Sequence, residues 1–158
     1  MLAIRDKNME NRTGNLLLSV NTVKELWSRT YNSEGKPDWS HILPYYHPNI
    51  IFRDSIQKIE GIHEFEKMCR RLTNRCSKLV MDIRNIAQEN DIILMEWTMT
   101  MVFRRLPNSS VRGCTKLKIG EDGRIIEQRD YYDLWGDIFD RLPVIRTIYR
   151  KFMKLFFG

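Results

Sequence analysis

From Asp91 to Leu106 the chain reads DIILMEWTMTMVFRRL, and its polarity alternates residue by residue. Met95, Trp97, Met99, Met101 and Phe103 fall on one side, with Glu96, Thr98 and Thr100 on the other. A period of two marks a strand with one buried and one wet face. Such a strand is not stable alone, because its apolar face needs paired strands and a covering layer. Its partners are adjacent in sequence. VMDIRNIAQ precedes it across END, and VRGCTKLKI follows after PNSS. In the latter, Arg112, Cys114, Lys116 and Lys118 alternate with Gly113, Thr115, Leu117 and Ile119. GEDG then turns the chain into RIIEQRDYYDLW, which continues an antiparallel sheet.

The covering layer comes from helical spacing elsewhere. Thr22-Val-Lys-Glu25 has the form of a capping box, and Val23, Leu26, Trp27, Thr30 and Tyr31 then recur on one helix face. Gly35 and Pro37 stop that helix. DWSHILPYY reads as a short second helix, and NIIFRDS as a strand with Ile50, Phe52 and Asp54 on one face. QKIEG returns as the second half of a hairpin. Phe65, Cys69, Leu72 and Cys76 predict an amphipathic helix over 62–77. At the end, Ile138, Leu142, Ile145, Tyr149, Phe152 and Phe156 form a stripe, with Pro143 where a helix start tolerates it. The order is α+β: a curved antiparallel sheet closing over N-terminal helices, with a C-terminal helix. The expected organisation is a partly ordered arm at 1–21, a domain at 22–137 and a basic amphipathic helix at 138–158.

With 158 residues the chain fits one domain, and its longest apolar runs are too short to cross a bilayer. The N-terminus lacks the layout of a signal peptide, and three cysteines fit a reducing cytoplasm better than a disulfide framework. No Cys/His spacing suggests zinc, and phosphate-binding glycine loops and nucleophile motifs are absent, so neither metal nor cofactor is expected. The net charge of +6 lies partly in CRRLTNRCSK and partly after Asp140. No nucleic-acid motif accompanies it, so nucleic acid is not an expected partner. Arg146, Arg150, Lys151 and Lys154 beside Phe156 and Phe157 suit a weak contact with an anionic membrane surface.

The element order, with YYHPNIIFRDSIQKIEG and GRIIEQRDYYDLW, resembles the nuclear-transport-factor-like superfamily in its SnoaL-like branch over roughly residues 22–137. That resemblance implies a cone: a strongly bent antiparallel sheet whose inner face and first helices enclose a small-molecule pocket. Members include ketosteroid isomerases, limonene-epoxide hydrolases, polyketide cyclases, dehydratases and non-catalytic binders, many of them homodimers. FRDS is similar to the isomerases' first-strand segment and would place Asp54 at their proton-abstracting carboxylate. QRDYYDL is similar to the epoxide hydrolases' last strand and would place Asp130 at their acidic residue. The hydrolases' Arg-x-Asp pair falls at Trp97 and Met99, and the isomerases' protonated oxyanion-hole acid falls nearest Thr115. The isomerases' oxyanion tyrosine falls near Leu26 or Trp27, with Tyr31 one turn on. No known active site is reproduced intact.

Strand alternation orients the rest. If Asp130 points inward, so do Ile126, Gln128, Tyr132 and Leu134. Trp27, Tyr31, Phe52, Trp97, Met99, Met101, Thr115, Gln128 and Tyr132 are the expected pocket residues, and Asp130 and Asp54 the expected catalytic pair. A carboxyl in an apolar wall titrates high, which suits it to general acid/base work on a small apolar ligand. Other readings stand beside this one. Asp130 could pair with Arg53 or Arg129, Asp54 could anchor a turn, and the Met/Trp stripe could be plain core. His41 could face the cavity, and Tyr31 and Tyr132 could donate hydroxyls. The whole could be an isomerase, cyclase or lyase, a carrier for a hydrophobic ligand, or a dimeric interaction protein with a filled cavity. A homodimer would use the outer sheet face, around Glu96, Thr98, Thr100, Arg112 and Lys116.

Overall fold

The computed structural model describes residues 18–31, 36–104 and 108–158, leaving out the side chain of residue 141. Most of the expected N-terminal arm, and the stop between 32 and 35, lie outside the described residues. Helix α1 runs Val20–Tyr31 and buries Val23, Leu26, Trp27, Thr30 and Tyr31. It starts ahead of the expected box. The Ser19 hydroxyl accepts the Thr22 amide at 3.2 Å and contacts the Thr22 hydroxyl at 2.9 Å, so serine caps and Thr22 answers it. DWSHILPYY is not a helix but two 3-10 turns, Trp39–His41 and Leu43–Tyr45, because Pro44 interrupts the run.

Strands β1 (Tyr46–Arg53) and β2 (Lys58–Glu60) form the first hairpin, followed by helix α2 (Ile62–Arg75). Strands β3 (Cys76–Glu89), β4 (Ile92–Phe103), β5 (Ser109–Ile119) and β6 (Ile125–Tyr132) complete one six-stranded sheet in the order β2-β1-β6-β5-β4-β3. Neighbouring strands are antiparallel except β1 and β6, which run parallel. The architecture is thus the expected α+β arrangement of a curved sheet with N-terminal helices and a C-terminal helix, carrying one parallel pair. Register shifts at Cys76/Lys78, Ile83/Asn85 and Lys118/Ile119 bend the strands, as bulges do.

Two of these shifts correct the reading from polarity. Cys76 opens β3 and does not share α2 with Cys69. The bulge after it hides the two-residue period and imitates helical spacing. On β6 the irregularity leaves Ile125 fully buried and Ile126 only partly so, and the inward set is Gln128, Asp130 and Tyr132 without Ile126.

The core lies between one sheet face and helices α1 and α2. Trp27 (2% exposed), Ile50, Leu79, Ile93, Met95, Leu117 and Ile125 are its buried centre. Buried hydroxyls find local acceptors: Thr30 bonds the Leu26 carbonyl at 2.8 Å, and Thr73 bonds that of Cys69 at 3.0 Å. After β6 come the short helix α3 (Leu134–Asp137), a 3-10 turn and helix α4 (Pro143–Phe157). No residue of α4 is buried. Its ties to the domain are Tyr149, stacked on Trp135 at 4.4 Å, and Arg150, bound to Asp140 at 2.8 and 2.9 Å. The helix expected over 138–158 begins only at Pro143, which leaves Ile138 and Leu142 of the stripe in the turns before it. No described helix is long and apolar enough to cross a membrane.

Candidate active site

Between the sheet and the helices lies an open cavity of about 460 Å³, within the range of small-molecule sites. Its walls are chiefly apolar. Trp27 and Tyr31 enter from α1, Phe52 from β1, and Trp97, Met99 and Met101 from β4. Gln128, Asp130 and Tyr132 enter from β6. The Met/Trp stripe is thus both core and lining: Met95 is sealed in the core, while its neighbours on the same face border the hollow. Thr115 is the exception among the expected pocket residues. It is 1% exposed and stands behind Asp130, outside the lining.

Two chains of donors converge on one carboxylate oxygen. The Trp97 indole N–H donates to the Thr115 hydroxyl at 2.8 Å, and that hydroxyl donates to Asp130 Oδ1 at 2.7 Å. An indole can only donate, so the threonine proton has to point at the aspartate. On the other side the Tyr46 hydroxyl donates to Gln128 Oε1, and Gln128 Nε2 donates to the same Asp130 Oδ1 at 3.0 Å. Asp130 Oδ2 takes no hydrogen bond from the described residues and is the oxygen left for a ligand.

Burial pushes the Asp130 carboxyl up from 3.8 to about 6, and the neighbouring Asp54 charge adds to the rise. The bonds from Thr115 and Gln128 stabilise the anion and hold the value down. Asp130 is enclosed by the domain, and the surface it keeps faces the cavity. It does not pair with Arg53 or Arg129. Those two are cross-strand partners on the opposite face of β1 and β6, where their Nε atoms are buried without a partner.

Asp54 anchors a turn and also borders the cavity: its Oδ1 accepts the Ile56 and Gln57 amides at 2.7 and 2.8 Å. Tyr132 is held protonated above the ordinary tyrosine range, by burial first and then by Asp54, its charge and hydrogen-bonding partner. Burial likewise raises the Tyr31 hydroxyl well above its ordinary value. His41 does not reach the cavity: it sits 3.6 Å from Asp38, and its neighbours Trp39 and Ile42 supply the lining. His47 accepts the Asn49 amide at 3.1 Å. Cys69 borders the hollow, but burial pushes its thiol up to about 12, so it is no nucleophile at neutral pH. Among the described residues no three His, Cys, Asp or Glu side chains come together as a metal site requires.

Reasoning from sequence missed Tyr46, Arg71 and Arg75. Alternation from Ile50 and Phe52 does not lead to Tyr46, because Pro48 between them is exposed and the pairing with β6 shifts register between Tyr46 and Ile51. The arginines read as ordinary polar helix positions, yet both line the cavity.

A model of the SnoaL-like domain matches residues 27–128. Among solved structures, the chain is similar to an LEH-like epoxide hydrolase from M. tuberculosis, at 19% identity and a TM-score of 0.63, covering 84% of this chain and 94% of that one. It is also similar to an NTF2-like protein of unknown function from Burkholderia pseudomallei K96243, at 14% identity and a TM-score of 0.65, covering 79% and 98%. A third is a hypothetical protein with a ketosteroid isomerase-like fold from Catenulispora acidiphila DSM 44928, in complex with trimethylamine, at 14% identity, a TM-score of 0.62 and coverage of 74% and 88%. Identities this low speak to fold alone. No curated protein matches the chain.

Proposed function

We propose a proton-transfer role for the cavity, starting from one premise: the chain belongs to the SnoaL-like domain family. In this reading Asp130 is the general acid/base of an isomerase, cyclase or lyase acting on a small apolar molecule. The observation that carries it is a carboxyl with one oxygen saturated by donors, the other left for a ligand, and a pKa raised to about 6. At neutral pH such a group is mostly ionised, yet basic enough to accept a proton and acidic enough to return it. Asp130 Oδ2 takes the proton from an acidic C–H or O–H of the ligand. The Tyr31 hydroxyl, which lines the cavity and keeps its own proton, donates a hydrogen bond to the oxygen that gains charge. Positions 97 and 99 present an indole and a thioether to the cavity, which does not support the epoxide hydrolases' water-activating pair.

The reaction class can be tested without the natural substrate. In the ring-opening of nitrobenzisoxazole a base removes a carbon-bound proton, the N–O bond breaks, and a coloured phenolate forms. Wild-type protein should accelerate this about 10²-fold or more over acetate, with the rate rising through pH 6. Asp130→Asn should remove the acceleration. Saturable binding of the compound with no acceleration would instead make the protein a carrier for a hydrophobic ligand.

We also propose that α4 rests on an anionic membrane surface. Val144 (72% exposed), Ile148 (66%), Phe152 and Leu155 lie bare on one side of the helix. The far side carries Arg146, Lys154 and Arg150, the last bound to Asp140, while Lys151 borders the bare residues between Ile148 and Leu155, and the helix holds no acidic residue. A second copy of α4 would bring like charges together, whereas acidic lipid complements them. Co-sedimentation with phosphatidylserine vesicles, lost in Phe152→Glu and weakened by salt, is the expected result. No sedimentation by the wild type would rule the contact out.

A further inference from the structure

The cavity-facing side of α2 carries two charges that nothing in the proton chemistry uses. Met68, Leu72 and Cys69 line the hollow from this helix, and so do Arg71 and Arg75, one turn apart on a single face. Both arginines are exposed while lining the cavity, so they stand at its mouth. The helix's outward cations are spoken for: Lys67 pairs with Glu64 at 2.6 Å, and Arg70 with Glu66. Arg71 and Arg75 form no ion pair with a described residue.

Nor do they act as counter-ions to the aspartates. What acts on Asp130 is burial, its bonds to Thr115 and Gln128 and the Asp54 charge, with neither guanidinium among them. The cavity therefore has carboxylates on the sheet side, guanidiniums at the helix side of the mouth, and aromatic and thioether walls between. A purely apolar ligand would leave the two arginines without a function.

We infer that Arg71 and Arg75 hold the anionic end of the ligand, so the substrate class is an apolar body carrying one terminal carboxylate or phosphate. The planar guanidinium binds either group through paired N–H donors, and two of them a helical turn apart can clasp one anion from two sides. The anion stays at the wet mouth, where its desolvation costs little, and the apolar body reaches inward towards Asp130. This rests on the cavity being the binding site, and is independent of whether Asp130 moves a proton.

Quenching of the cavity tryptophans Trp27, Trp39 and Trp97 gives the readout. Decanoate, decyl phosphate and decanol are titrated against wild type and the Arg71→Gln/Arg75→Gln double variant at low salt. Wild type should bind one or both anions about tenfold or more tighter than decanol, and the preference should shrink as salt rises. The double variant should bind the anions as weakly as decanol, with decanol itself unchanged. Whether carboxylate or phosphate binds better identifies the head group. Equal affinity for all three in wild type, or a double variant that loses decanol as well, would overturn the inference while leaving the cavity reading intact. Failure of every compound to bind would overturn both. Because both arginines are exposed, the variants should fold, and an unchanged melting temperature checks this.

Discussion

Gly113 and Trp97 face each other across β5 and β4, and the indole lies so close over the glycine that an added Cβ would meet ring carbons at 2.5 Å. The same Cβ would stand 2.8 Å from the Tyr131 carbonyl, so neither ring nor backbone leaves room. That seat aims the indole N–H at Thr115, and through it fixes the hydroxyl that grips Asp130. A missing side chain on the central strand β5 thus helps set the geometry of a carboxyl in the pocket.

Gly113→Ala should therefore cost about 1–3 kcal/mol, the usual range for overpacking a tight core. The loss should appear in the denaturation midpoint. Displaced Trp97 fluorescence should accompany it, and an unshifted spectrum with unchanged stability would mean the ring has room to move.

Thr115→Val removes one of the two bonds that hold the Asp130 pKa down, so its titration should move above about 6. The same change leaves the buried Trp97 N–H without an acceptor, at about 1–3 kcal/mol. A pH–rate profile with nitrobenzisoxazole, displaced to higher pH in the variant, checks the first effect.

Asp130 should also mark the pH dependence of stability. Its folded value of about 6 lies above the unfolded value of 3.8, so folding disfavours ionisation. Stability from this group is fully present below 3.8 and is lost as pH rises through about 6. The loss is at most about 3 kcal/mol from a shift near two units, less whatever water in the cavity recovers. Asp130→Asn should then melt several degrees higher than wild type at pH 8 and match it at pH 4.

Deleting 143–158 should leave the melting temperature nearly unchanged, because no residue of α4 is buried. A fall of more than a few degrees would show that the exposed stripe packs on the domain in solution. The same deletion should abolish vesicle binding.

The β4 and β5 faces are legible in the sequence because solvent and core impose opposite polarity on alternate residues, and Trp97, Met99 and Met101 share the face that borders the cavity. Bulges leave no such mark. The one after Cys76 made a strand start look like helix, and the one near Ile126 reversed the expected phase at one end of β6. The inward phase of Asp130 survived because Gln128, Asp130 and Tyr132 lie beyond that irregularity. Arg71 and Arg75 were invisible for a different reason. A charged residue at a cavity mouth has the same helical spacing as one in open water, and only the tertiary structure separates them.

The most direct test of the account is the titration of the Asp130 carboxyl itself, followed by carbon NMR on aspartate-labelled protein and assigned with Asp130→Asn. A midpoint near 6 that moves when a ligand fills the cavity is the expected result. A midpoint near 4, indifferent to ligand, would mean that water reaches the carboxylate freely and that it has no part in proton transfer.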